Sequence, residues 1–319
     1  CGADAVVVCE GSKHLSAAGD DETATLRRLG LEGKARLACM CRVSGPVVID
    51  RDPTSAAPEP TLAAPAAPAV DHALASGVAR VVIIGNGVAG TSAAEHLRRL
   101  SDSLQIDMIT SEPLHFYNRM AIGRLIYGRA GMDGLQLIPD NWYAKNRVEV
   151  WRNSIARSVD RQNKTVLLAT GESLPYDKLI LATGAHCTTP DPDFLSFDNA
   201  FVLRSAEDAQ ALRQHVQLRR ARRALVIGGG VLGVEAADAL HHLGLHVTLL
   251  QRSDRLMNTQ LDHQGAARLA AYLEGIGIQV LTEVNVSRWE GQGEGLRAAW
   301  LAHGPCARAD VFVACLGIS

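Results

Sequence analysis

From Arg80 onward, apolar positions follow two alternating periods. Short apolar-rich runs read as strands: Val81–Ile84, Ile106–Ile109, Lys164–Leu168, Lys178–Ala182, Ala224–Ile227, His246–Leu250 and Gln279–Leu281. Among them lie stretches of helical period. Ala89–Leu100 puts Ala93, Ala94 and Leu97 on one side, and Val231–His242 and Gly265–Glu274 read the same way. Strand alternating with helix predicts an α/β fold, a parallel sheet with helices on both faces.

Two of these strands run directly into glycine-rich turns. The first turn is Gly85-Asn86-Gly87-Val88-Ala89-Gly90, and the second is Gly228-Gly229-Gly230-Val231-Leu232-Gly233. In such a turn the first glycine permits the tight bend. The second lets backbone approach a pyrophosphate, and the third lets the helix pack against the sheet. The pyrophosphate then meets unpaired N–H groups and the positive end of the helix dipole. One such turn is a weak signal, but two in one chain point to two bound dinucleotides.

The N-terminal part has a different texture. Residues 1–52 form one unit, and residues 53–77 are rich in Pro and Ala, the composition of an extended, semi-rigid linker. With 319 residues the chain has room for about two ordinary domains. A net charge of −2 gives no bulk electrostatic reason to expect nucleic acid as a partner. No stretch of roughly 18 apolar residues suggests a membrane span, and no basic-then-apolar leader appears. Seven scattered cysteines argue against a disulfide framework and favour a reducing, cytoplasmic setting. Nothing sets an oligomeric state. The first residue is Cys1, inside what reads as a motif, and the last is Ser319, just past a strand. The chain is therefore expected to be a fragment of a longer protein.

Several linked segments carry a family resemblance. They are the two glycine turns, Ser111-Glu112-Pro113, Tyr117-Asn118-Arg119, Tyr176-Asp177-Lys178-Leu179 with Ala182-Thr183-Gly184, and Leu256-Met257 with Gln260-Leu261-Asp262. Together, from about Val78 to Ser319, they resemble the FAD-dependent pyridine nucleotide oxidoreductases. Within that family the similarity is to rubredoxin- and ferredoxin-reductase-like proteins and to the front part of the assimilatory nitrite reductase large subunit. The resemblance implies two Rossmann-like domains: FAD-binding over 78–195 and NAD(P)H-binding over 196–319. The FAD-binding domain would be incomplete, because the segment returning to it would follow Ser319.

It also implies site residues. Gly85, Gly87, Val88, Ala89 and Gly90 would hold FAD, with Glu112 on the adenosine ribose. Arg119 would lie near flavin and pyrophosphate, although Met120 stands where a proline usually follows. Arg124 would sit near the reactive edge of the flavin, and backbone at Ala156 would meet adenine. Ala182, Thr183 and Gly184 would mark the crossing between domains. Gly228, Gly230, Val231, Leu232 and Gly233 would hold NAD(P)H, with Glu235 near the nicotinamide. Gly317 would belong to the strand and turn leading back to the FAD domain. The strand His246–Leu250 ends in Gln251-Arg252, without the acid that grips an NADH ribose, and Arg252 is suited to a 2′-phosphate. Relatives lacking that acid also use NADH, so the choice of nicotinamide stays open.

The departures bear on mechanism. Residues 112–135 contain no cysteine, so the thiol chemistry of disulfide- or peroxide-reducing relatives is not expected. Electrons would leave to a protein or domain acceptor. Residues 1–52 resemble the back half of a plant-type [2Fe–2S] ferredoxin of β-grasp fold. The likeness rests on Cys1-Gly2-Ala3-Asp4 and on Arg36-Leu37-Ala38-Cys39. Cys1 and Cys39 match two of its four thiolate positions, and Asp4 stands at a third. Cys9 and Cys41 are spare thiols. Two readings remain there, a cluster domain or a ferredoxin-like fold that has lost its metal. For the whole chain the alternatives are a nitrite reductase flavin module and a non-catalytic dinucleotide-binding redox module. His241, His242 and His246 suit a helix C-terminus, and no nucleophile elbow supports hydrolysis.

Overall fold

The computed structural model describes residues 5–50, 71, 76–128, 131–293, 295–302 and 304–318. Cys1, Asp4 and nearly all of the 53–77 linker lie outside this set. The chain forms two compact units, Cys1–Asn118 with Gln136–Gly184, and Arg119–Leu135 with Ala185–Ser319.

The first unit begins with β1 (Ala5–Glu10), α1 (Asp20–Arg28), β2 (Arg36–Leu37) and β3 (Val48–Asp50). The strands form an antiparallel sheet in the order β2-β1-β3. Its small core joins Ala5, Leu26, Leu31, Ala35 and Leu37. The buried Glu22 carboxylate accepts from Arg36 Nε at 2.7 Å and from the Leu37 N–H at 2.9 Å, which ties α1 to β2.

Next come β4 (Arg80–Ile84), α2 (Val88–Leu100), β5 (Gln105–Ile109) and β6 (Val148–Trp151). A meander of β7 (Ala156–Asp160), β8 (Thr165–Leu168) and β9 (Ser173–Pro175) precedes β10 (Lys178–Leu181). Strands β10-β4-β5-β6 form a parallel sheet. On one face Val81, Ile83, Ile106 and Met108 pack with Ala94, Trp142 and Tyr143. On the other, Val82 and Ile109 pack against Val166, Leu168 and Leu174 of the meander.

Helices therefore cover one face only, contrary to the alternating pattern, and the 165–168 strand belongs to an antiparallel sheet. The reason is local. Asp160 accepts backbone N–H groups from Gln162 and Asn163, closing a hairpin where the apolar runs are too short to bracket a helix.

The second unit repeats the plan with β11 (Ala200–Val202), α3 (Ala206–Arg219), β12 (Arg223–Ile227), α4 (Val231–His242) and β13 (His246–Leu250). It continues through α5 (His263–Gly275), β14 (Gln279–Leu281), β15 (Val286–Gln292), β16 (Gly295–Leu301), β17 (Cys306–Arg308) and β18 (Val311–Ala314). The parallel sheet runs β11-β18-β12-β13-β14. Helix α4 packs on β12 and β13. The opposite face, with Leu225, Ile227 and Phe312, meets Leu296 and Ala299 of the antiparallel β15–β17 sheet. The segment 119–135 belongs to this unit, and its short helix Gly123–Ile126 packs on α3 and α4.

An aspartate clamps the start of each central strand. Asp177 Oδ2 accepts the N–H groups of Ala79 and Arg80, both at 2.8 Å. Asp310 Oδ2 accepts those of Arg222 and Arg223 at 2.8 and 2.9 Å. Ala79 and Arg222 stand just before the strands that Arg80 and Arg223 open, and each aspartate supplies an acceptor for both N–H groups of its pair.

The two N–H bonds hold the Asp177 carboxyl below the ordinary carboxylate range. A carboxyl lowered on folding contributes stability that is present above its unfolded value, about 4, and is lost as pH falls through the folded value. Asp177→Ala is expected to melt below the parent at pH 7. The gap should narrow below roughly pH 4, as read by thermal unfolding across pH. A gap independent of pH would remove the charge from this account.

Candidate functional site

The two glycine turns are built alike. Gly85 and Gly228 adopt φ of 117° and 107°, a region open to glycine. A Cβ on Gly85 would lie 2.0 Å from the Ala182 carbonyl oxygen, and one on Gly228 would lie 2.3 Å from that of Cys315. Where α2 and α4 press onto the turns, a Cβ on Gly90 would stand 1.9 Å from the Gly85 oxygen, and one on Gly233 would stand 1.7 Å from the Gly228 oxygen. By contrast, a Cβ on Gly87 or Gly230 would meet nothing within 4 Å. The outer glycines are thus required by the protein itself. The middle ones face open space.

Open space at those positions coincides with bare helix ends. Gly87 caps α2 and Gly230 caps α4, with no side-chain cap and no acidic residue in the first turn. By contrast, Ser205 and Asp208 form a full capping box on α3, Asp262 caps α5, and α1, which also begins on an uncapped glycine, Gly19, places Asp20, Asp21 and Glu22 in its first turn. Uncapped N–H groups beside a Cβ-free approach form an anion cradle. At the first turn the Asn86 side chain is buried. Its Oδ1 accepts from the Tyr143 hydroxyl at 2.8 Å, and its Nδ2 has no partner among the described residues. A buried donor left unpaired costs about 1–3 kcal/mol, which a bound acceptor would offset. Both cradles therefore fit a phosphate-bearing cofactor.

The other residues singled out by sequence distribute as follows. In the first unit Glu112 is half-buried just past β5, and its Oε2 accepts the Tyr117 hydroxyl at 2.9 Å. Ala156 opens β7 at a bulge. Ala182 extends β10, donating its N–H to Ile84 at 2.8 Å, and is followed by exposed Thr183 and Gly184. Val88 is exposed at the mouth of its cradle. Arg119 and Arg124 fall in the second unit, where Arg119 Nη1 donates to the Arg204 carbonyl at 3.4 Å and Arg124 is exposed.

Also in the second unit, exposed Val231 and half-buried Leu232 open α4. Glu235 lies one turn in. Its tip reaches solvent, but neighbouring protein desolvates the carboxyl and raises its pKa. Gly317 takes φ of 96°, and its carbonyl accepts the Thr188 N–H at 3.0 Å. Of the proposed metal ligands, Cys39 is exposed on the turn Ala38–Met40 and Cys1 lies outside the described residues. Among the described residues no three His, Cys, Asp or Glu side chains converge on a metal position.

Three features escaped the sequence reading. Asn86 looked like a spacer between glycines. Gln251, at the end of β13, turns inward, and its Oε1 accepts the Gly229 N–H at 2.9 Å. Its Nε2 donates to the Arg255 carbonyl at 3.2 Å and to Ser253 Oγ. This amide braces the 251–257 loop against the second turn and leaves Arg252 exposed. A polar residue at the edge of a buried strand was the available signal. Finally, Cys315 lies directly under Gly233, and burial pushes its thiol up to about 12. Burial likewise raises the Cys187 thiol. Neither is an activated nucleophile.

Comparison with known proteins agrees with this geometry. The family model for pyridine nucleotide-disulphide oxidoreductases matches residues 79–319. The biphenyl dioxygenase system ferredoxin–NAD(+) reductase component of Paraburkholderia xenovorans is 31% identical over 237 residues, covering 74% of this chain and 57% of that protein. The nitrite reductase (NADH) large subunit of Escherichia coli is 32% identical over 242 residues, covering 75% of this chain and 28% of the subunit. Among solved structures, a NAD-dependent persulfide reductase from A. fulgidus superposes with a TM-score of 0.70 at 29% identity, over 75% of this chain and 45% of that one. The chain thus spans roughly half, or less, of each relative. With the matched span and two parallel sheets that each end in a glycine cradle, the chain belongs to the pyridine nucleotide-disulphide oxidoreductase family.

Proposed function

We propose that this chain is the nucleotide-binding part of an NAD(P)H-dependent flavoprotein oxidoreductase acting in a cytoplasmic setting. It takes electrons from NAD(P)H through FAD to a protein acceptor. The observation that carries this reading is the pair of uncapped, Cβ-free helix starts that each follow a parallel strand and carry no acidic residue in the first turn. The ferredoxin and rubredoxin reductases among its relatives support the type of acceptor.

When bound, the cofactors supply the hydride exchange and the onward release of electrons. The protein binds and orients. N–H groups at the start of α2 would hold the FAD pyrophosphate while Glu112, steadied by Tyr117, accepts from the adenosine ribose. The first turn and Ala156 would frame the adenine half, and the Ala182–Gly184 segment the crossing strand. The second turn would hold the nicotinamide dinucleotide, with Glu235 beside its reactive end. Arg119 and Arg124 would supply cations for flavin or pyrophosphate. No protein acid or base is required by hydride transfer, and burial raises the Cys187 and Cys315 thiols away from the reactive thiolate form.

A cluster in the N-terminal part is a finer proposal. Cys1 and Cys39 would be two of its ligands, but the described residues do not assemble a four-thiolate set, so no electron path is drawn through it. A second reading has support from similarity to nitrite reductase large subunits, in which the same cradles would feed a downstream part.

Under anaerobic titration, FAD-loaded protein is expected to lose its flavin absorbance on adding NADH or NADPH. Protein that stays oxidised with both would leave only a nucleotide-binding module. Gly87→Ala and Gly230→Ala separate the two cradles, since neither Cβ meets protein. Gly87→Ala is expected to fold normally yet lose FAD. Gly230→Ala should keep FAD and raise the KM for the nicotinamide about tenfold or more, the scale of one lost charge-assisted contact. Loss of folding in either variant would place its glycine in the scaffold instead.

Arg252 decides the nicotinamide. If it receives a 2′-phosphate, Arg252→Ala raises the KM for NADPH roughly 10–100-fold and leaves that for NADH unchanged. Equal effects on both would assign Arg252 no such role.

A further inference from the structure

The opposite end of the second sheet carries a site that the nucleotide chemistry does not use. A cleft of about 770 Å³ opens where β12 begins. Arg219 and Arg220 line it from the end of α3, Arg222 and Arg223 from the start of β12, and Arg297 from β16. All five are exposed. Five arginines thus line one concavity together with two aspartates, Asp198 and Asp310.

Those carboxylates do not neutralise them. Asp310 Oδ2 is taken up by the Arg222 and Arg223 backbone N–H groups, and no Arg of the five forms an ion pair among the described residues. A helix C-terminus favours cations, which accounts for Arg219 and Arg220. It does not account for Arg222, Arg223 and Arg297, which come from two different strands.

The walls are fixed. Buried Asn199 donates from Nδ2 to the Leu296 carbonyl at 2.8 Å and to the Asp310 carbonyl at 3.0 Å, and its Oδ1 accepts the Leu296 N–H at 2.8 Å. The Asp310 N–H donates to the Arg223 carbonyl at 3.0 Å. These bonds hold β16, β18 and the start of β12 in register, so Arg297 stays facing the arginines of the α3–β12 corner. The cleft is remote from the glycine turn. The two lie at opposite ends of β12, roughly 16 Å apart at the usual rise per residue.

We propose that this cleft binds an oligophosphate anion, a chain of two or three phosphates either free or carried by a small metabolite. Arginine forks match phosphate oxygens in pairs, and one phosphate would leave most of the crowded charge unanswered. The volume suits a small ligand. The lining offers no slot for a base, because its one ring, His215, is half-buried against Phe201 at 5.2 Å.

The test is calorimetric titration of the full chain with inorganic triphosphate and, separately, ATP, with FAD and NAD+ in excess to occupy both cradles. Saturable binding of both, within about threefold of each other, is expected. Arg222→Gln and Arg297→Gln should each weaken it at least tenfold, with flavin content and melting temperature unchanged. Arg268→Gln, an exposed arginine on α5 outside the cleft, should have no effect. No saturation at millimolar triphosphate, binding of ATP alone, equal losses with Arg268→Gln, or displacement by a short duplex DNA at lower concentration would each overturn the assignment.

Discussion

The structure depends on one close approach, made twice: a helix N-terminus pressed against the carbonyl of a glycine it has just left. Less than 2 Å separates the Gly85 oxygen from the place a Cβ on Gly90 would occupy, and the Gly228–Gly233 pair is tighter still. Real side chains cannot occupy such gaps. The approach brings α2 and α4 down onto their sheets, where Ala94 and the Ala236–Ala237 pair are buried. The neighbouring strand closes the same knot, with the Ala182 carbonyl against Gly85 and the Cys315 carbonyl against Gly228. Turn, helix and adjacent strand are therefore one rigid object. Gly87 and Gly230 are left facing open space between these packed glycines.

At the far end of each central strand sits the aspartate clamp. Asp177 and Asp310 occupy equivalent places, just before β10 or β18, and each takes the N–H groups of the first residue of β4 or β12 and of the residue before it. Each strand is thus pinned at its start by a carboxyl side chain and at its end by packed backbone. In the sequence Asp177 stood out only as part of Tyr-Asp-Lys-Leu, and nothing marked Asp310 as its counterpart. Their common duty follows from the repeated βαβ plan.

What was legible followed from period and from glycine. The runs at Val81–Ile84 and Ala224–Ile227, the helices after them and both cradles stand where the pattern put them. What was not legible followed from pairing partner. A half-buried strand such as Thr165–Leu168 has the same local signature whether it lies in a parallel layer or in a meander covering that layer's other face. The β15–β17 sheet and α3 went unread for a related reason. Their apolar positions, such as Leu296 and Ala299 or Ala209 and Leu212, are spaced by contacts distant in sequence. The segment 119–135 was read with the first unit because it follows Glu112 along the chain, yet its short helix packs on α3 and α4. Asn86 and Gln251 were opaque because a polar residue buried by tertiary contact looks, in sequence, like one in solvent.

Gln251 shows how structure narrows chemistry. A side chain can recognise a ligand only with atoms not already committed to the protein. At the end of β13 an acid would have projected oxygens toward a ribose. Here an amide does the opposite, because Oε1 is held by the Gly229 N–H and Nε2 by the Ser253 hydroxyl and the Arg255 carbonyl. The same bonds shape the cradle, since Gly229 is fixed between Gln251 and Leu256, with its carbonyl accepting the Met257 N–H at 2.8 Å. Replacing Gln251 by an acid would put a charge in a buried position that must still satisfy that N–H. The next residue, Arg252, is exposed, and a guanidinium can answer a phosphate but not a diol with equal strength.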